Sequence, residues 1–104
     1  MKEIPHLAEA FAQTLQDARR QARLSQASLA NEIECARSFI SFLETREHLP
    51  SLNTFLVISR ALDIPSAELL ARLEAKLAVL AAHNETQEID EVEGVAKKLC
   101  PKLP

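Results

Sequence analysis

Between Leu15 and Leu70, apolar residues recur at spacings of three and four, and the pattern is cut at short intervals by Ser25, by Pro50-Ser51 and by Asp63-Ile64-Pro65. Those spacings place apolar side chains on one stripe of a helix, and residues of the interrupting types start or stop helices. A chain punctuated this often folds as short helices that each bury one face. Gly94 is the single glycine, Trp and Tyr are absent, and Ala and Leu dominate, so the residues that sheets and their turns use are lacking. The expected fold class is all-α.

Leu7, Phe11, Leu15, Ala18 and Ala22 mark a first helix from about Pro5 to Ala22, with Pro5 suited to its first turn. Ser25 is an N-cap for a short second helix that carries Leu29, Ala30 and Ile33 and ends near Glu34-Cys35. A third helix from Arg37 to Glu44 buries Ile40 and Leu43. After Pro50-Ser51, the residues Leu52, Phe55, Ile58, Ser59 and Leu62 line the inner face of a fourth. A fifth runs from Pro65 or Ser66 to Ala82, with Leu70, Leu73, Leu77 and Leu80 on one stripe. From Asn84 the chain turns polar and acidic, and Ile89, Val92, Val95, Ala96 and Leu99 mark at most one more short helix, weakened by Gly94. The expected organisation is a helical unit over residues 1–70, an extended fifth helix over 66–82 and a polar tail over 83–104.

The 104 residues, 47% hydrophobic and 26% charged, are enough for one core. No apolar run approaches the roughly 20 residues that span a bilayer, and Lys2, Glu3, Glu9 and Asp17 occupy the place of a signal core. A cytoplasmic location with no membrane partner is expected. His6, His48 and His83 lie in unrelated segments, and Cys35 and Cys100 form no C-x-x-C, so no metal or other cofactor is expected. No phosphate-binding glycine loop or nucleophile elbow is present, which argues against an enzyme. The net charge of −3 opposes non-specific binding to nucleic acid; Arg19, Arg20, Arg23, Arg37, Arg46 and Arg60 are interleaved with Glu32, Glu34, Glu44, Glu47 and Asp63.

The run L-x-x-x-R-x-x-x-x-L-S-Q-x-x-L-A is filled by Leu15, Arg19, Leu24, Ser25, Gln26, Leu29 and Ala30, followed by Arg37-Ser38, Ile40-Ser41, Leu43-Glu44 and Pro50-Ser51. In these residues the chain resembles the lambda-repressor-like helix-turn-helix family, also called the xenobiotic-response-element family. The resemblance implies a five-helix unit, here with an extended fifth helix and a C-terminal tail, whose third helix reads the major groove. It further implies that Gln26 holds a phosphate and steadies Arg37, and that Arg19 and Glu44 form an internal ion pair. Two departures stand out, because Glu34 and Arg46 occupy positions where relatives use glycine.

With Ile40 and Leu43 turned inward, Arg37, Ser38, Ser41 and Phe42 are left as candidate base contacts. Arg bonds a guanine through two acceptors, serine hydroxyls donate or accept, and a phenyl ring meets a thymine methyl; packing on the fifth helix or a second subunit is the alternative for Phe42. Thr45, Arg46, Asn53 and Thr54 flank the groove as candidate phosphate contacts beside Gln26. Cys35 beside the reading helix is read as a small buried hydrophobe, with redox sensing as the alternative. Leu70, Leu73, Leu77 and Leu80 are the expected dimer seam, with Leu77 and Leu80 projecting past the monomer's core. The resulting expectation is a transcriptional regulator that binds a palindromic double-stranded DNA operator as a homodimer. The alternatives are an antitoxin whose tail binds a toxin, and a controller of restriction-modification genes.

Overall fold

Three of the helices end in the same way, and none of them uses a glycine to do it. In this computed structural model, which describes residues 1–45 and 48–92 and for 83–92 the helical backbone only, the elements are α1 (Leu7–Gln21), α2 (Gln26–Glu32), α3 (Arg37–Leu43), α4 (Leu52–Ala61) and α5 (Ser66–Val92). Arg23, Glu34 and Asp63 follow α1, α2 and α4 in left-handed backbone at φ of 62°, 60° and 59°. The next N–H in each case reaches back five residues: Leu24 to Arg19 O at 3.1 Å, Cys35 to Ala30 O at 2.9 Å and Ile64 to Ser59 O at 3.0 Å. This is the bonding of a Schellman cap. Leu24, Cys35 and Ile64 then pack against the core, supplying the apolar contact that accompanies such a cap. Glu34 thus keeps the left-handed turn for which the resemblance implies glycine, at a cost of about 1–2 kcal/mol.

Helix starts are as local. Ser25 Oγ accepts from Ser28 N at 2.9 Å and Ser51 Oγ accepts from Thr54 N at 3.1 Å, each satisfying a backbone donor that a first turn leaves open. Pro5 and His6 precede α1, with His6 left-handed at φ 66°, so α1 begins two residues later than the sequence suggests. The second and third helices likewise end at Glu32 and Leu43, shorter than expected because Ile33 and Glu44 serve as their C-caps.

One core gathers the apolar stripes. Phe11, Leu15, Leu29, Ile40, Leu43, Ile58 and Leu69 are fully enclosed, with Phe55 tilted against Phe11 at a centroid distance of 6.3 Å. Leu52 does not join them: it is 75% exposed in the first turn of α4, where the core has already been closed by Phe55 and Ile58.

The inner stripe of α5 is Leu69, Leu73, Leu77 and Leu80. Leu69 and Leu73 are buried, and Leu77 and Leu80 are packed against the core. Leu70 lies about 100° round the helix from Leu69 and remains exposed. Two cross-helix contacts hold this docking. Lys76 Nζ lies 2.9 Å from Asp17 Oδ2, and Arg72 Nη1 donates to Gln21 Oε1 at 3.1 Å. Rising numbers on one helix meet falling numbers on the other, so α5 runs antiparallel to α1. Leu77 and Leu80 therefore fall over α1 instead of projecting past the core. The helical backbone continues to Val92, beyond the expected stop at Ala82; a separate short helix over Ile89 to Leu99 is replaced by this continuation as far as Val92, and Val95, Ala96 and Leu99 lie outside the described residues. Among the described residues there is no strand, and no helix long and apolar enough to cross a membrane.

Candidate nucleic-acid interface

The centre of the site is the carboxylate of Glu44, the C-cap of α3. Arg19 Nε donates to Glu44 Oε2 at 2.7 Å and Arg19 Nη2 to Glu44 Oε1 at 3.1 Å, a two-pronged pairing whose planar fork fits a carboxylate. The side chains are 10% and 3% exposed. Arg19 Nη1 also donates to Leu24 O at 2.9 Å, which ties the α1–α2 turn to the same guanidinium. Gln26 Nε2 adds a third donor to the carboxylate, reaching Glu44 Oε1 at 2.9 Å. One side chain at the end of α3 is thus held from α1 and from the first residue of α2, which fixes the relative orientation of three helices.

The bond made by Gln26 differs from the implied one. Its partner is Glu44 at the end of α3, where the resemblance implies Arg37 at the start. One of the two amide N–H groups is used in this way, and the half-buried side chain retains a second N–H for another acceptor.

With Ile40 and Leu43 in the core, α3 turns Arg37, Ser38 and Phe42 to the surface with Ser41 half-buried among them. These four occupy one side of a seven-residue helix. Phe42 is 46% exposed, and one face of its ring is covered by His48, with centroids 3.6 Å apart and planes 18° from parallel. His48 was not among the expected site residues; nothing in its spacing signals it, because a stacking partner across a loop depends on the loop's path.

The flanking candidates are placed unevenly. Thr45 Oγ1 donates to Phe42 O at 2.6 Å, so its single hydroxyl proton caps α3 in this conformation and is not presented outward. Asn53 is exposed and Thr54 half-buried in the first turn of α4. Ser51 Oγ donates to Thr54 Oγ1 at 3.0 Å, which leaves the Thr54 proton for an acceptor outside. Arg46 lies outside the described residues.

Burial pushes the Cys35 thiol up from its usual value, and Sγ donates to Ala36 O at 3.5 Å. A raised value keeps the group as the less reactive thiol at neutral pH. No cluster of His, Cys, Asp and Glu suited to a metal occurs among the described residues.

Known structures share this fold. The clp gene regulator ClgR from Corynebacterium glutamicum is similar with a TM-score of 0.76 at 22% identity, over 84% of this chain and 93% of that one. A second crystal structure of the same regulator gives 0.66 at 21%, over 74% and 99%. No curated protein matches the chain. The family model described as a helix-turn-helix domain matches residues 10–73, which takes in α1 from Ala10 onward, α2 to α4, the Glu44 network and the start of α5. With more than half of its length matched, the chain belongs to the helix-turn-helix domain family.

Proposed function

We propose that the protein is a sequence-specific DNA-binding transcriptional regulator of the lambda-repressor-like kind, which inserts α3 into the major groove and acts in the cytoplasm by occupying an operator. The observation that carries this reading is the division of labour on α3. Its inner side chains and its C-cap carboxylate are locked to α1 and α2, while Arg37, Ser38, Ser41 and Phe42 face outward with hydrogen-bonding and apolar groups suited to base edges. Gln26, Asn53 and Thr54 flank that face and position it on phosphates, and Arg46 joins them by its place in the sequence. The overall likeness to a gene regulator supports the same reading.

Arg37 is the one basic residue of α3, and the chain's net charge is −3, so a single copy has little general attraction for the phosphate backbone. Two copies on half-sites about 34 Å apart supply the missing affinity and account for a palindromic operator. The fifth helix takes part in that homodimer through Leu70, because Leu73, Leu77 and Leu80 face the monomer's own core. Leu70 lines an apolar groove with Leu49 and Leu52, next to the α3–α4 loop.

Selection of bound sequences from a random pool of duplex DNA tests the proposal. The expected result is enrichment of an inverted repeat with half-sites one helical turn apart. Recovery of unenriched sequence, or of binding that disappears uniformly with modest salt, contradicts it.

A further inference from the structure

We propose that His48 is a positioning residue for base recognition: by stacking on Phe42 it holds that ring ready to receive the 5-methyl group of a thymine. The inference deepens the DNA-binding reading and rests on it. Phe42 lies in the last turn of α3, one residue before the helix ends. The core side of this turn belongs to Leu43, so Phe42 has no packed interior to hold it. An exposed phenyl ring in that position is free to rotate about its side-chain bonds, and ordering it on DNA would consume part of the contact energy.

The imidazole removes that freedom in advance. The centroid distance of 3.6 Å and the 18° angle between planes place it flat on one face of Phe42, and the phenylalanine is still 46% exposed. His48 is itself half-buried within the α3–α4 loop, just before Leu49-Pro50, and Pro50 restricts the backbone beyond it. Phe42 shares the outward side of α3 with Arg37, Ser38 and Ser41. In the major groove the thymine methyl is the one apolar feature that distinguishes a base edge. A fixed apolar face between polar side chains is therefore matched to it. The function of the stack is orientation, and His48 touches no base.

Replacing thymine by deoxyuracil in the selected operator removes the methyl and leaves every hydrogen-bonding group in place. The wild-type protein should lose about threefold to tenfold in affinity at one thymine per half-site, the value of one buried methyl with its fit. His48→Ala should bind thymine and deoxyuracil operators equally, with its affinity for the deoxyuracil operator close to that of wild type. Phe42→Ala should likewise lose the preference for thymine over deoxyuracil, and the double variant should lose no more of it than either single one. His48→Tyr, which keeps a flat ring, should restore the thymine preference. If His48→Ala weakens binding to both operators and keeps the preference, the residue acts as a phosphate contact or a fold element and the inference is overturned. Absence of any methyl preference in the wild type also overturns it, while leaving sequence-selective binding intact. Failure to select any sequence removes the DNA-binding reading itself.

Discussion

Arg19 and Glu44 face each other in two-pronged register, Nε to Oε2 at 2.7 Å and Nη2 to Oε1 at 3.1 Å, across an interface that encloses nearly all of both side chains. Charges taken so far out of water stabilise only as a pair. Removing one partner strands the other, at a cost of about 3–5 kcal/mol, whereas replacing both with apolar residues of similar volume is close to neutral. Urea denaturation should therefore show a large loss for Glu44→Ala and a smaller one for the double variant Arg19→Met, Glu44→Leu. Equal losses would mean that the hydrogen-bonded network, and not the isolated charge, sets the stability.

Gln26 is held by the same carboxylate at 2.9 Å, so its removal separates two effects. Gln26→Ala deletes one charge-assisted bond and should destabilise by about 1.5–3 kcal/mol, less than Glu44→Ala, since Arg19 still satisfies the carboxylate. If the remaining amide N–H meets a phosphate, the same variant binds every DNA sequence more weakly without changing base preference. A changed preference at one base pair, measured by competition between operators, would assign Gln26 to base recognition.

The left-handed turn at Glu34, φ 60°, is kept against the preference of its residue type. Glycine adopts it without strain but gives back entropy in the unfolded chain, so Glu34→Gly should stabilise by about 0.5–1 kcal/mol. Glu34→Val, branched at Cβ, should destabilise. A thermal melt of the two variants checks the order, and a stabilising valine would show that the turn is not strained.

Leu70 and Leu73 are three residues apart and should behave differently. Leu73 is 8% exposed, so Leu73→Ala should cost about 2–5 kcal/mol by leaving a cavity. Leu70→Glu with Leu52→Glu should leave the monomer's stability within about 0.5 kcal/mol while shifting sedimentation toward monomer. A wild type that sediments as a monomer at high micromolar concentration would remove the groove at Leu49, Leu52 and Leu70 from the account.

These contrasts show what periodicity can convey. The helices at Ser25 and Ser51 were legible because a capping hydroxyl acts on a donor three residues away, and Ile40 and Leu43 could be placed inside because helical spacing fixes their side. The inner stripe of the fifth helix begins at Leu69 and not at Leu70: both are apolar, and only the docking of α5 on α1 through Asp17 and Gln21 decides which one turns inward. The spacing of Leu52 to Phe55 fits an inner face, yet Leu52 is exposed because the core ends before it. The Phe42–His48 stack and the bond from Gln26 to Glu44 join residues across loops or helices, where spacing along the chain carries no information.

The measurement that bears most directly on the outward side of α3 is the affinity of Arg37→Ala for the selected operator and for each single-base variant of one half-site. If Arg37 reads a base edge, the variant loses about 1–3 kcal/mol on the preferred site and becomes indifferent at one base pair, with its preferences elsewhere and its melting temperature unchanged. An equal loss on every sequence would make Arg37 a phosphate contact, and no loss on any of them would contradict the placement of α3 in the groove.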